Sequence, residues 1–235
     1  MNIGIFVYNF PHWKTQVGIQ NLIMGGFKPK LALAADPVPL NFYKSKVRTG
    51  PKDLFLWEPR EICERHDIAY EVVQHNSSQT AQLVKDYDLD VGVILGARIL
   101  KPIAFDNFKQ GVINMHPGIL PENRGLDNLK WAIMKDFPQG VTAHLIDSKI
   151  DRGLMILREE ISVYDDDTLI DLQIRLQHLE QKLMLQSLQL LESDTATLTP
   201  LAQGSYHKSL PPEEEANLLN YFKTYKASRS KRTNN

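Results

Sequence analysis

One cysteine, Cys63, stands among 235 residues. That excludes an internal disulfide and fits a reducing compartment. No apolar run approaches the roughly 20 residues that span a bilayer as a helix. The first residues, MNIGIFVYNF, have no basic region ahead of their apolar run and no small-residue cleavage site, so they read as a strand rather than a signal peptide. The expected location is the cytoplasm. Neither sign of charge is in excess: 27 Lys and Arg face 28 Asp and Glu, for a net charge of -1. No overall field therefore recruits nucleic acid or membrane, and neither is expected as a partner. Glycine is missing from the turn after the first apolar run, Tyr8 to Lys14, so the backbone cradle that receives a pyrophosphate in dinucleotide folds is absent. No Gly-Lys-Ser/Thr phosphate loop occurs, and the seven histidines show no zinc spacing, so no metal site is expected.

What the chain does contain is an ordinary globular composition, 43% hydrophobic and 23% charged, enough for one large domain with a small appendage. Asn2–Tyr8 is a nearly continuous β-rich run, as a strand buried on both faces requires. A helix is predicted over 15–25, ending at Gly25-Gly26, and a second strand over 28–36, which makes a β-α-β opening with a right-handed crossover. The stretch Pro37–Asp53 reads as a loop carrying Lys44, Lys46, Arg48 and Lys52; it is either a solvated surface or a face for an anionic ligand. Helices near 58–67, 78–87 and 103–108 then alternate with strands at 68–73, 91–95 and 111–115. The expected fold is α/β: an open, Rossmann-like, mostly parallel sheet, with ligands outside the carboxyl ends of its strands. Gly96-Ala97-Arg98 and His116-Pro117-Gly118 both fall at such ends.

Two further β-rich runs, 140–146 and 153–163, flank a turn holding Asp147, Asp151 and Gly153, and their spacing suggests an antiparallel extension of the sheet. A long helix follows from an N-cap within Asp165–Thr168 to about Leu191. Leu169, Leu176, Leu183 and Leu190 recur at heptad spacing, with Leu172 and Leu179 between them. A coiled-coil dimer is conceivable, but the second seam fails at Gln186 and apolar residues lie on other faces, so a core-packing helix is preferred. The division expected is a catalytic domain over 1–192 and a short extension over 193–235. In the extension Pro211-Pro212 and three glutamates look like a helix start, Tyr221, Phe222 and Tyr225 make a homodimer surface plausible, and the basic tail reads as mobile and solvated.

The chemistry gathers in 111–153. A strand-end Asn114-x-His116-Pro117, a Pro121-x-x-Arg124-Gly125 loop and a Gly140-Val-Thr-x-His144 strand leading to Asp147 and Asp151 bring an amide, an imidazole and carboxylates together. Each alone has a structural explanation; together they form an acid–base site at the edge of a sheet.

These pieces, NMHPGILPENRG (114–125), WAI (131–133), GVTAHLID (140–147) and IDRG (150–153), are similar to the folate-dependent formyltransferase family, with a weaker match at LGARIL (95–100). The resemblance covers roughly residues 1–190. It implies transfer of a formyl group from N10-formyltetrahydrofolate to a primary amine. Asn114 would hydrogen-bond the formyl oxygen. His116 would take a proton from the attacking amine or act as a second electrostatic stabiliser, and Asp151 would orient His116 and help move protons. Arg98, Ile99 and Leu100 would contact the folate, with Asp147 in the cleft wall. His144 either joins the site or is paired within its strand.

Departures from the family narrow the acceptor. Glycinamide ribonucleotide enzymes carry a Gly/Ser-rich phosphate loop where this chain has Asn9-Phe10-Pro11-His12. The tRNA enzymes append a basic barrel for which residues after 192 are too few, while Gly204-Ser205-Tyr206-x-Lys208 resembles a connector found in tRNA and sugar enzymes. A small-molecule amine on a nucleotide sugar is the expected acceptor, with the basic 44–52 loop as a candidate face for its diphosphate. The alternatives are a methionyl-tRNA or glycinamide ribonucleotide formyltransferase, a formyltetrahydrofolate hydrolase, which usually carries an extra N-terminal domain, and a non-catalytic folate- or nucleotide-binding relative.

Overall fold

The first apolar run forms β1 (Ile3–Tyr8), buried along all but its last residue. Helices cover both of its faces, which is why it shows no polar alternation. The computed structural model describes residues 1–39, 43, 45–51, 54–149 and 151–230. Lys44 and Lys52 of the basic loop, and the tail from Lys231, lie outside them. After β1 come α1 (Trp13–Met24), β2 (Leu31–Ala35), α2 (Pro59–Arg65), β3 (Ala69–Val72), α3 (Ser78–Asp86), β4 (Val91–Ile94), α4 (Pro102–Phe105) and β5 (Val112–His116).

The described residues form an eight-stranded sheet in the order β3-β2-β1-β4-β5-β7-β8-β9. The chain runs outward through β1, β2 and β3, then returns to the other side of β1 for β4 and β5, all parallel. Between β1 and β4 the direction of progression reverses, and a crevice opens there beyond the carboxyl ends. Side chains alternate through the sheet. Ile3, Ile5 and Val7 join a core with α1, α2 and the long helix, while Phe6, Leu31 and Leu33 join a second core with α3 and α4 on the opposite face.

The predicted antiparallel extension is present. A two-residue strand β6 (Arg124–Gly125) and helix α5 (Asn128–Lys135) lead to β7 (Gly140–Leu145), which pairs antiparallel with β5 and sets Asn114 opposite His144 and His116 opposite Thr142. Next to β7 lies β8 (Leu154–Glu160), with a register shift between Ala143 and His144 that marks a bulge beside the site.

The long helix α6 (Leu169–Glu192) starts at a capping box in which Thr168 and Asp171 satisfy each other's backbone amides. Its heptad leucines Leu169, Leu172, Leu176, Leu179 and Leu183 are all buried against the chain's own sheet. Each contributes about 1.5–3 kcal/mol of burial, so the leucine stripe belongs to the core rather than to a coiled-coil seam.

Beyond α6 the chain folds back over the sheet edge. β9 (Thr199–Pro200) pairs with β8, β10 (Tyr206–His207) pairs in parallel with β6, and α7 (Pro212–Glu215) and α8 (Leu218–Arg229) follow. Pro212 takes the first helical position of α7 with three acids in its first turn, as the sequence suggested. Phe222 and Tyr225, expected to offer a dimer surface, are 5% and 3% exposed, and the Tyr225 hydroxyl donates to the Phe137 carbonyl. These two rings serve the intrachain core; Tyr221 alone of the three is exposed. No helix among the described residues is long and apolar enough to cross a membrane.

Candidate active site

Asn114 and His116 are two apart on β5, so both project from one face of the strand at its carboxyl end. Asn114 meets its cross-strand partner: its Nδ2 lies 3.3 Å from His144 Nε2. The other nitrogen of His144, Nδ1, is 2.8 Å from the Arg152 carbonyl. A carbonyl can only accept, so Nδ1 carries the proton and Nε2 accepts from Asn114. Full burial and the nearby His116 push the His144 pKa down to about 4, with Asp151 only partly opposing. His144 is thus a neutral, fixed acceptor that orients the Asn114 amide. One Asn114 N–H remains to face the crevice.

His116 is 3% exposed and held at both nitrogens. Nε2 donates to the Asn123 carbonyl at 2.7 Å, and Nδ1 lies 3.2 Å from Asp151 Oδ1. The second Asp151 oxygen accepts the Gly125 amide at 2.8 Å. Burial pushes the Asp151 carboxyl up, but the hydrogen bond and charge of His116, the Gly125 amide and His144 outweigh it and hold it below the usual carboxylate range. Asp151 itself sits at φ 48, in the left-handed region that Asp tolerates better than most residues. Gly125 has φ +104, and a Cβ there would run into the His207 backbone, so only glycine brings this amide to Asp151.

The loop between His116 and Gly125 is fixed from below. Thr142 Oγ1 donates to the Gly118 carbonyl at 2.8 Å and accepts the Leu120 amide at 3.0 Å. Asn123 Nδ2 donates to the Asn128 carbonyl at 2.9 Å. The Leu120–Pro121 peptide is cis.

Two cavities open on either side of Asn114, which lines both. One, of about 460 Å³, is bordered by His116, Tyr8, Lys14, Asp127 and Lys130. The other, of about 340 Å³, is bordered by Arg98, Ile99, Leu100, His144, Asp147 and Asp151. The structure therefore brings Asn114, His116 and Asp151 together, and puts Arg98, Ile99, Leu100 and Asp147 on the wall of a single neighbouring cavity. Ile99, Leu126 and Tyr206 leave apolar surface open there. No cluster of three or more metal-ligating side chains occurs among the described residues.

Several supporting groups escaped the sequence reading. Lys14 Nζ donates to the Met115 carbonyl at 3.1 Å and pairs with Glu180 at 3.4 Å, which ties α1 and α6 to the strand end between the two predicted site residues. Burial pushes the Glu180 carboxyl up, with Lys14 and His116 partly offsetting it. Lys130, on the first cavity's wall, reaches Glu215 of α7 at 2.7 Å. Burial pushes Glu215 up, yet Lys130, Ser45, the Lys46 amide and Tyr43 together bring it down to about 2. The segment around β10 clamps the same loop: Arg124 donates to the Gly204 carbonyl at 2.8 Å, Trp131 Nε1 to the Lys208 carbonyl at 2.7 Å, and the Leu210 amide to Asp127 at 2.9 Å. These contacts join residues far apart in the chain, and only the Gly204–Lys208 motif carried a signal.

The chain is 27% identical over 132 residues to the methionyl-tRNA formyltransferase of Chlorobium chlorochromatii, covering 56% of this chain and 42% of that protein. It is 31% identical over 108 residues to the GDP-perosamine N-formyltransferase of Brucella melitensis, covering 45% and 42%. It thus spans less than half the length of these curated relatives. Its fold is similar to that of the formyltransferase PseJ from Anoxybacillus kamchatkensis, solved in complex with UDP-4,6-dideoxy-4-formamido-L-AltNAc and tetrahydrofolate, at a TM-score of 0.56 and 23% identity over 95% of this chain and 94% of that one. The family described as formyl transferase matches residues 40–188, which hold Asn114, His116 and Asp151 together with Arg98, Ile99, Leu100 and Asp147. Fold, site geometry and family match agree, and the chain belongs to the folate-dependent formyltransferase family.

Proposed function

We propose that this protein is an N-formyltransferase that moves the formyl group of N10-formyltetrahydrofolate to a primary amine carried by a nucleotide sugar. The observation that carries the reading is the position of Asn114, shared by two cavities and backed by His116 and Asp151. The cavity lined by Ile99, Leu100, Ile146 and Arg98 fits the flat ring system and acidic tail of the folate, because it joins open apolar surface to a cation. The folate supplies a formyl carbon activated by its nitrogen.

The free Asn114 N–H donates to the formyl oxygen as negative charge gathers there, and its other N–H stays on His144, so little reorganisation is needed. His116 has no nitrogen turned freely to the cavity. That favours electrostatic stabilisation over a free general base among the two roles the resemblance implied. Asp151, held ionised between His116 and the Gly125 amide, orients the His116 ring and helps move the amine proton through an intervening water.

The acceptor amine enters from the 460 Å³ cavity. The nucleotide-sugar choice is supported by the GDP-perosamine relative and by the sugar nucleotide in the PseJ complex. Methionyl-tRNA is the second reading, favoured by the relative from Chlorobium. The deciding experiment offers N10-formyltetrahydrofolate with amino sugar nucleotides, methionyl-tRNA, glycinamide ribonucleotide and water alone. Formylation of an amino sugar nucleotide at a rate well above the others is expected. Selective formylation of methionyl-tRNA moves the acceptor to the second reading, and folate release without any amine marks a hydrolase.

A further inference from the structure

A third cavity, of about 890 Å³, lies outside the carboxyl ends of β1, β2 and β3, on the opposite side of β1 from the formyl site. Nothing in the proposed chemistry uses it, yet it shares wall residues with the two cavities that chemistry does use. Tyr8 and His12 line both it and the 460 Å³ cavity, and Arg98 lines both it and the 340 Å³ cavity. A ligand with its amine at Asn114 can therefore extend past Tyr8 and His12 into this space.

The chemistry of its walls is specific. Asp36 is the first residue after β2, and its Oδ1 accepts from Asn9 Nδ2 at 2.7 Å. Asn9 is itself fixed, because its backbone N–H donates to the Ala35 carbonyl at 2.8 Å and its Oδ1 accepts from the Tyr70 hydroxyl at 2.7 Å. The carboxylate is thus pinned by one oxygen at an exposed position. A carboxylate at the end of the second strand of a β-α-β unit stands where a ribose diol is read in nucleotide-binding sheets. Beside it, the Phe10 ring stacks on Tyr8 at 4.9 Å, with His12 edge-on to Tyr8 at 5.2 Å. This half-buried aromatic platform suits the face of a base. The glycine turn that would seat a pyrophosphate against α1 is replaced by Asn9-Phe10-Pro11. Phosphates must therefore lie outside that turn, on the way past Tyr8 and His12 to the 460 Å³ cavity.

We propose that this cavity holds the nucleoside of the acceptor, with Asp36 accepting hydrogen bonds from its ribose hydroxyls and Phe10 stacking on its base. The inference rests on the nucleotide-sugar reading above and assigns that acceptor its second anchor, away from the reacting amine.

The test is calorimetric titration of the full chain, and of its Asp36→Asn and Phe10→Ala variants, with UDP, GDP, their 2′,3′-dideoxy analogues and AMP, alongside the acceptor assay. Expected is a loss of about tenfold or more in affinity for UDP or GDP in Asp36→Asn, the scale of a hydrogen bond to a charged group. The dideoxy analogue should bind the unaltered chain correspondingly more weakly and be indifferent to Asp36→Asn. Phe10→Ala should weaken both nucleotides. Affinities that stay within about twofold in both folded variants, in a chain that formylates an amino sugar nucleotide, overturn this cavity while leaving the acceptor reading intact. If AMP binds best and depends on Asp36, the nucleoside cavity stands and the acceptor becomes the 3′ end of a tRNA. If no nucleotide binds and no nucleotide-linked amine is formylated, both inferences fall.

Discussion

Asp151 is held in place by Gly125: one carboxylate oxygen accepts the Gly125 amide at 2.8 Å while the other faces His116 Nδ1 at 3.2 Å. The loop that starts at His116 therefore returns to brace the carboxylate that faces His116. Gly125 in turn is bridged to His207 through β6 and β10. The acid–base pair of the site is closed into a ring by backbone, with a positive-φ glycine at its joint.

Asp151→Asn tests that pair. Asparagine also tolerates φ 48 and its amide oxygen can still accept from Gly125, so the fold should hold. The charge opposite His116 is lost, and kcat for the proposed formyl transfer should fall by about 10²-fold or more. A rate near that of the unaltered chain, with an unchanged melting temperature, removes Asp151 from the mechanism.

Asn114→Ala deletes the donor assigned to the formyl oxygen. A drop in kcat of about 10²–10³-fold is expected, with a smaller change in KM, because the bond strengthens only as charge develops. A KM effect alone would make Asn114 a binding group.

His144 should give a pH signature in stability rather than in rate. Its folded pKa, about 4, lies below the unfolded value of 6.5. Between those values the unfolded chain binds a proton that the folded chain does not, so stability falls as pH drops through this window. From pH 7 to pH 5 this amounts to about 2 kcal/mol. Urea unfolding of His144→Gln should show a fall smaller by about that amount, and the His144 ring resonance of the unaltered chain should stay flat from pH 8 to pH 5.5. A resonance titrating near 6.5 contradicts the assignment of a neutral, buried ring.

The Lys130–Glu215 pair is 2.7 Å long, with side chains 8% and 3% exposed. Lys130→Met leaves Glu215 buried without its cation and should cost about 3 kcal/mol in denaturant unfolding, the scale for breaking one side of a buried pair. Lys130→Met combined with Glu215→Leu should recover most of the loss. Additive losses in the double variant mean that the two charges are not coupled.

Trp131→Phe removes the donor to the Lys208 carbonyl and keeps most of the ring stacked on His207 at 4.8 Å. Amide exchange over 204–208 should quicken by an amount equivalent to about 1 kcal/mol. Unchanged exchange would show that the segment is held by its other contacts.

Much of this arrangement could be read along the chain. The alternation of apolar runs with helical stretches through Ile113 gave the parallel sheet, and the turn between the 140–146 and 153–163 runs gave its antiparallel extension. The two-residue spacing of Asn114 and His116 fixed a shared face. The leucine heptads of α6 were ambiguous because core and coiled-coil stripes share a period, and the burial of Leu172, Leu176 and Leu183 against β5 and β7 resolves them. Phe222 and Tyr225 misled for a related reason: apolar residues on a terminal helix look the same whether a partner or the chain itself covers them.

Local pattern, then, determined which elements form and where the strand ends carrying Asn114, His116 and Arg98 must fall, since periodicity and turn chemistry act over a few residues. Tertiary structure alone decided what those ends meet. Lys14 and Glu180 are 166 positions apart, Lys130 and Glu215 85, and Gly125 and Asp151 26. No local preference encodes such pairs; they arise when two cores close on opposite faces of one sheet and carry distant loops over its carboxyl edge. The tautomer of His144, the bracing of Asp151 and the grouping of three cavities around Tyr8, His12 and Arg98 all follow from that closure.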